Sequence, residues 1–283
     1  MTQRLDINAI AIAWHERGTG DGVPLVLCHG YTGSSYDFSL HLDALARLTG
    51  RRVIALDQRG HGESTHVGRA EGYTIDHLVA DLEAFLDAVS PGPVDLLGHS
   101  MGGRVCQLVT LRRPERVRSL ILMDTSAWSF VPEDEGVRQL LTGYLEGFDP
   151  SRGMPQLGLR GPEDDLIDTT TSAGWRAGKD RMYAGMDAYA MKALGQAILT
   201  QADAAVRPRL PTITCPTTVL VGSLDHPFID QAPELAAELG NGRLAVIAGA
   251  FHSPQLTHQE EWRAAVADHL TWAAHGAPGT LSA

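Results

Sequence analysis

An α/β fold, with a mostly parallel central sheet and helices on both faces, is what this sequence predicts, and three observations predict it. Short, unbroken apolar runs recur through the first half and again near the C-terminus. Segments with apolar residues at helical spacing separate them. Between about residues 127 and 210 the alternation stops and no strand-like run appears. Strands covered by helices on both sides read as continuous apolar stretches, because neither face meets water.

Taken in chain order, residues 23–28 (VPLVLC) and 52–56 (RVIAL) read as buried strands. Residues 75–89 carry apolar side chains at helical spacing, 94–97 read as strand, 101–111 as helix and 117–123 as strand. Within 127–210 the stretch 183–199 reads as helical. Strand patterns return at 217–221 and 244–247, with a helix near 232–239 between them and a last helix over 259–274. The predicted organisation is a core of residues 1–126 and 211–283, interrupted after its sixth strand by a helical cap of residues 127–210. Such an insertion is placed to cover the carboxyl ends of the strands, where open α/β sheets bind ligands.

Bulk properties narrow the function classes. A net charge of −11 and only two lysines, Lys179 and Lys192, supply no basic run to neutralise phosphates, so nucleic acid is not an expected partner. No stretch reaches the eighteen or more apolar residues of a membrane span. The N-terminus shows no cationic start followed by an apolar region, so a cytoplasmic location is expected. Cys28, Cys106 and Cys215 form no CxxC pair and sit in or beside apolar runs, which reads as buried thiols. No HExxH or comparable ligand cluster occurs, and the glycine-rich stretch at 18–22 precedes a strand where a nucleotide cradle needs a helix. Neither a metal nor a cofactor is expected.

The strongest chemical signal is Gly98-His99-Ser100-Met101-Gly102, with Gly103 next, set between a strand and a helix. A G-x-S-x-G turn in that context forces the serine into a strained conformation and aims the helix N-terminus at the reaction centre. A serine hydroxyl needs an adjacent base to act as a nucleophile. His252, just past the strand at 244–247, is the candidate, in preference to His258 at the start of the final helix. Asp225 follows the strand at 217–221 and is the candidate acid; Asp124, which ends the strand at 117–123, is the alternative. His29-Gly30-Tyr31-Thr32-Gly33 follows the first buried strand, so the Tyr31 and Met101 N–H groups are the candidate oxyanion hole. Asp57 to Ser64 (DQRGHGES) reads as a hydrogen-bonded structural loop.

The motifs HGYTG (29–33), DQRGHGES (57–64), GHSMGG (98–103), PTTVLVGSLD ending at Asp225 and GAFH ending at His252 occur in an order that resembles the α/β-hydrolase superfamily, in its lid-bearing esterase, lactonase and C–C hydrolase branch. The resemblance runs from about residue 23 to the final helix. It implies cofactor-free acyl-enzyme chemistry on Ser100, acting on a small-molecule ester or lactone. Trp128, Phe130, Tyr183 and Met186 are the cap residues expected to meet a largely apolar substrate. Three other readings stand beside this one: C–C hydrolysis of a diketo ring-fission product, cofactor-free perhydrolysis, and a ligand receptor that keeps the fold with little turnover. The residues set no oligomeric state.

Overall fold

The computed structural model describes residues 2–128, 135–149, 151, 154, 160–200 and 206–275. In chain order the elements are β1 (Gln3–Ile7), β2 (Ile10–Arg17), β3 (Leu25–Cys28), α1 (Leu42–Thr49), β4 (Val53–Leu56), α2 (Ile75–Val89), β5 (Val94–His99), α3 (Met101–Arg112) and β6 (Val117–Met123). The helices α4 (Glu135–Glu146), α5 (Pro162–Thr170), α6 (Ala173–Ala184) and α7 (Ala188–Thr200) come next. They are followed by β7 (Thr217–Gly222), α8 (Phe228–Glu238), β8 (Gly242–Ile247), α9 (Pro254–Thr257) and α10 (Gln259–His275).

The eight strands form one sheet in the order β1-β2-β4-β3-β5-β6-β7-β8. The pairs from β4 to β8 are parallel, whereas β1 pairs β2 and β2 pairs β4 antiparallel. The predicted parallel strands are present, and β8 starts earlier than 244. The β1–β2 hairpin is absent from the sequence-based expectation. Its turn, Asn8-Ala9, adopts positive φ (48° and 62°) without the glycine that marks such turns. Its first strand alternates exposed and half-buried residues at a sheet edge.

Alternation along the buried strands sorts their side chains onto two faces. Val26, Ile54, Leu96 and Leu122 join one cluster with α2, α3 and α8, while Leu27, Ala55, Leu97 and Ile121 join another with α1 and α10. Helix α2 fits its face by burying Ile75, Leu78, Val79, Leu82, Phe85 and Leu86 at i, i+3, i+4 and i+7 spacing. Thr74 caps it, accepting the His77 N–H at 3.1 Å. The predicted helix over 183–199 is two helices. Asp187 accepts the N–H groups of Gly68 and Tyr189, both at 2.9 Å, and pins the break between α6 and α7 to the core. All three cysteines are free thiols; Cys28 and Cys106 are buried and Cys215 half-buried.

Strand β3 lies between β4 and β5, so the connections leaving β3 and β5 diverge to opposite sides of the sheet and leave a crevice at the carboxyl ends. The loops after β3, β5, β6 and β8 and the first residue of α8 line that crevice. Helices α5, α6 and α7, between β6 and β7, supply residues of its other wall.

Candidate active site

Ser100 sits between β5 and α3 with φ 52° and ψ −117°, a conformation that non-glycine residues avoid and that costs about 1–3 kcal/mol. Its surroundings hold it there. Its N–H donates to the Met123 carbonyl (2.9 Å), and its own carbonyl accepts from the Thr125 hydroxyl (2.7 Å) and the Arg104 N–H (3.2 Å). The turn is tight enough to dictate its neighbours. A Cβ on Gly98 would meet the Gly102 carbonyl oxygen at 2.5 Å, and one on Gly102 would meet the His29 oxygen at 2.5 Å. Only glycine allows the strand, the helix and the β3 loop to approach this closely.

That β3 loop carries Gly30 and Tyr31. A Cβ on Gly30 would lie 3.3 Å from the Ser100 Cβ, so the loop backbone abuts the serine. Its shape is held from behind. The His29 Nδ1–H donates to the Gly30 carbonyl (2.8 Å) while His29 Nε2 accepts the Gln58 N–H (3.0 Å), and His61 Nε2–H donates to the Tyr31 carbonyl (2.6 Å). Asp57 accepts the N–H groups of Ser35 (2.6 Å) and Glu63 (2.9 Å). The loop from Asp57 to Ser64 thus positions its neighbours and lies behind the crevice. The Tyr31 hydroxyl donates to the Met191 carbonyl in α7. Met101, in the first turn of α3, has an N–H among those with no acceptor inside the helix.

His252 follows β8, and its Nδ1–H donates to Asp225 Oδ2 at 2.9 Å. The ring packs against Phe228 (centroids 5.2 Å apart) and against His99 (4.8 Å). His99 donates from Nε2 to the His252 carbonyl at 2.8 Å. Burial holds His99 well below the usual histidine range, which leaves it a single N–H for that bond. Asp225 is buried, whereas the His252 side chain is a third exposed, as a base facing a ligand cleft must be.

A cavity of about 480 Å³ opens over this arrangement, and Gly30, Tyr31, Ser100, Met101, Trp128 and His252 all line it. The structure therefore brings Ser100, His252 and the two candidate N–H donors to one cleft, with Asp225 directly behind the histidine. Asp124 is buried and accepts the Gly222 N–H at Oδ1 (2.9 Å), so Asp225 and not Asp124 holds the imidazole.

Among the expected apolar cleft residues, Trp128 lines the cavity and Phe130 lies outside the described residues. Met186 and Tyr183, expected at the cleft, are not among the residues that line it: Met186 is buried in the larger hydrophobic cluster, and the half-buried Tyr183 packs against that cluster. Ile167, Ile198, Phe228 and Leu256 line the cleft instead. The sequence reading also misses Glu163 of α5, which lines the cleft and accepts the Ser253 N–H at 2.5 Å across ninety positions of chain. Burial pushes Glu163 up, with His252 pulling the other way. Lys179 and Asp37 also face the cleft and pair with each other. Among the described residues, no group of three or more His, Cys, Asp or Glu is arranged to hold a metal ion, and no helix is long and apolar enough to cross a membrane.

A family model described as the alpha/beta hydrolase fold matches residues 23–259. The 2-hydroxymuconate semialdehyde hydrolase of Pseudomonas sp. (strain CF600) is 29% identical over 273 residues, which cover 94% of this chain and 93% of that protein. An sn-1-specific diacylglycerol lipase of Danio rerio is 38% identical over 109 residues, 38% of this chain and 33% of its own length. The chain spans about a third to a half of such curated relatives. In three dimensions it is similar to the enol-lactonase from Burkholderia xenovorans LB400 (TM-score 0.75, 22% identity, 95% of this chain and 100% of that one). It is also similar to a bromoperoxidase from Bacillus anthracis (TM-score 0.77, 23% identity, 96% and 100%).

Proposed function

The chain belongs to the α/β hydrolase fold family, and on that premise we propose that it is a serine hydrolase that cleaves a carboxylic ester or lactone of a small, largely apolar substrate. The observation that carries this reading is the 2.9 Å bond from His252 to Asp225 beside a cleft that Ser100 shares with the histidine.

In the mechanism, His252 Nε2 takes the Ser100 proton as the serine oxygen attacks the substrate carbonyl. Asp225 accepts the Nδ1–H throughout, fixes the tautomer and stabilises the imidazolium. The N–H groups of Met101 and Tyr31 meet the oxyanion, helped by the N-terminus of α3. The ester C–O bond breaks, the leaving oxygen takes the proton from His252, and an acyl-enzyme remains on Ser100. Water, deprotonated by His252, attacks the acyl carbon and releases the acid. Trp128, Ile167, Ile198, Phe228 and Leu256 favour an apolar acyl or alcohol portion. Helices α5, α6 and α7 act as a cap over it.

The nearly full-length similarity to a 2-hydroxymuconate semialdehyde hydrolase supports a second reading, hydrolysis of a C–C bond in a diketo acid. A panel of short aryl esters, lactones and vinylogous diketo acids separates the two. The ester reading expects turnover of the first two groups, lost in Ser100→Ala. Turnover of diketo acids alone would favour the second, and ester turnover undiminished in Ser100→Ala would refute the assignment of the nucleophile.

A further inference from the structure

A second carboxyl group lies behind Asp225. Asp124 stands at the end of β6 with φ 46° and is 1% exposed. Its Oδ1 accepts the Gly222 N–H at 2.9 Å, and its Oδ2 is sealed from water and meets no donor among the described residues. The Asp225 carboxyl is within hydrogen-bonding reach of Asp124, and His252 stands beyond Asp225.

Two buried carboxyl groups in contact do not both ionise, because each charge lacks water and repels the other. The surroundings decide which one keeps the proton. Asp225 receives the Nδ1–H of His252, while Asp124 receives a single backbone N–H. Burial first, and then the charge of Asp225, push the Asp124 carboxyl well above the usual range. A proton on Oδ2 also gives that orphaned oxygen its partner.

We propose that Asp124 is a positioning residue: a neutral acid that donates a hydrogen bond to Asp225 and holds that carboxylate against His252. This role rests on the serine-hydrolase reading above. With a donor on either side, Asp225 is not free to turn away from the imidazole. Asparagine reproduces the arrangement, with its amide N–H toward Asp225 and its oxygen toward Gly222, whereas alanine supplies neither.

Infrared difference spectroscopy of the full chain at neutral pH tests the proton without reference to turnover. The expected result is a carboxylic-acid C=O band, shifted in D2O, that disappears in Asp124→Asn and persists in Ser100→Ala. Kinetics test the role. Asp124→Ala is expected to lower kcat about 10- to 100-fold, the scale of a hydrogen bond to a charged group, with KM within threefold. Asp124→Asn is expected to rescue most of that loss with an unchanged pH profile. An Asn variant as impaired as the Ala variant, or no band lost on Asp124→Asn, would overturn the proposal. If no substrate of the panel is turned over, the hydrolase reading fails and the positioning role fails with it, while the infrared band still reports whether Asp124 holds the proton.

Discussion

Adding one methyl group at Gly98 tests whether the turn around Ser100 is as tight as its geometry requires. A Cβ there would sit 2.5 Å from the Gly102 oxygen, 2.6 Å from the Gly103 Cα and 2.7 Å from the Gly102 carbonyl carbon, all backbone atoms of the first turn of α3. Ordinary contact begins near 3.4 Å, so the helix must retreat by about 1 Å, taking the Met101 N–H and the Ser100 hydroxyl with it. A displacement of that size costs about 100-fold in rate, or about 2.7 kcal/mol of transition-state stabilisation. Overpacking costs about 1–3 kcal/mol of stability, and a chain of this size loses about 2–4 °C of Tm for each. Gly98→Ala is therefore expected to be folded at 25 °C, with Tm lowered by about 2–12 °C and kcat on an aryl ester about 100-fold down. Gly92→Ala, where the added methyl meets nothing within 4 Å, serves as the control and keeps wild-type values. Calorimetry and steady-state kinetics on both variants settle it. Wild-type kcat in Gly98→Ala would refute the claim that backbone contact at this turn sets the reactive geometry.

Tyr31→Phe removes the hydroxyl that bonds the Met191 carbonyl but keeps the backbone N–H assigned to the oxyanion hole. Stability is expected to fall by about 0.5–1.5 kcal/mol in urea unfolding and kcat by less than tenfold; a loss of 100-fold or more would place the hydroxyl itself in the chemistry. Stability is also expected to fall as pH drops below about 6.5. Burial lowers His29, His41, His61, His99 and His269, with His41 near 4 and His269 near 3. These rings stay neutral in the fold while the unfolded chain binds protons. Their contribution is complete above 6.5 and is lost as pH falls through the folded values. Asp57, Asp124 and Glu163, whose carboxyls are raised, work in the opposite direction but are fewer. Urea unfolding at pH 7.5, 6 and 5 is expected to show a decline of about 1.4 kcal/mol per pH unit for each net proton taken up; a flat or rising profile would contradict the burial of neutral histidines.

Much of the architecture is legible in the residues because its strands are buried on both faces. LVLC, VIAL and the strand before Gly98 carry the signal without knowledge of their neighbours. Ser100, Asp225 and His252 are legible for a related reason: each follows a readable strand, and the fold gathers strand ends at one edge. What stays hidden depends on tertiary contact. The β1–β2 hairpin turns through Asn8-Ala9 without a glycine, and its outer strand has little to bury. Helix α8 begins at Phe228, ahead of the expected start near 232, because Pro233 inside it masks the earlier turn. Met186 and Tyr183 look like cleft residues by type, yet Met186 is buried in the core and Tyr183 packs against it outside the cleft lining, which residue type alone does not reveal. Glu163 and the contact between Asp124 and Asp225 leave no local pattern at all, since each joins segments ninety or more residues apart.

Reaction with a fluorophosphonate tests the nucleophile most directly, because the reagent bonds a serine only where a base activates it. Tandem mass spectrometry of the labelled chain is expected to place the phosphonyl group on Ser100, with no adduct in Ser100→Ala and labelling slowed at least 100-fold in His252→Ala. An adduct on another residue, or a labelling rate indifferent to His252→Ala, would contradict the pairing of this serine with this histidine.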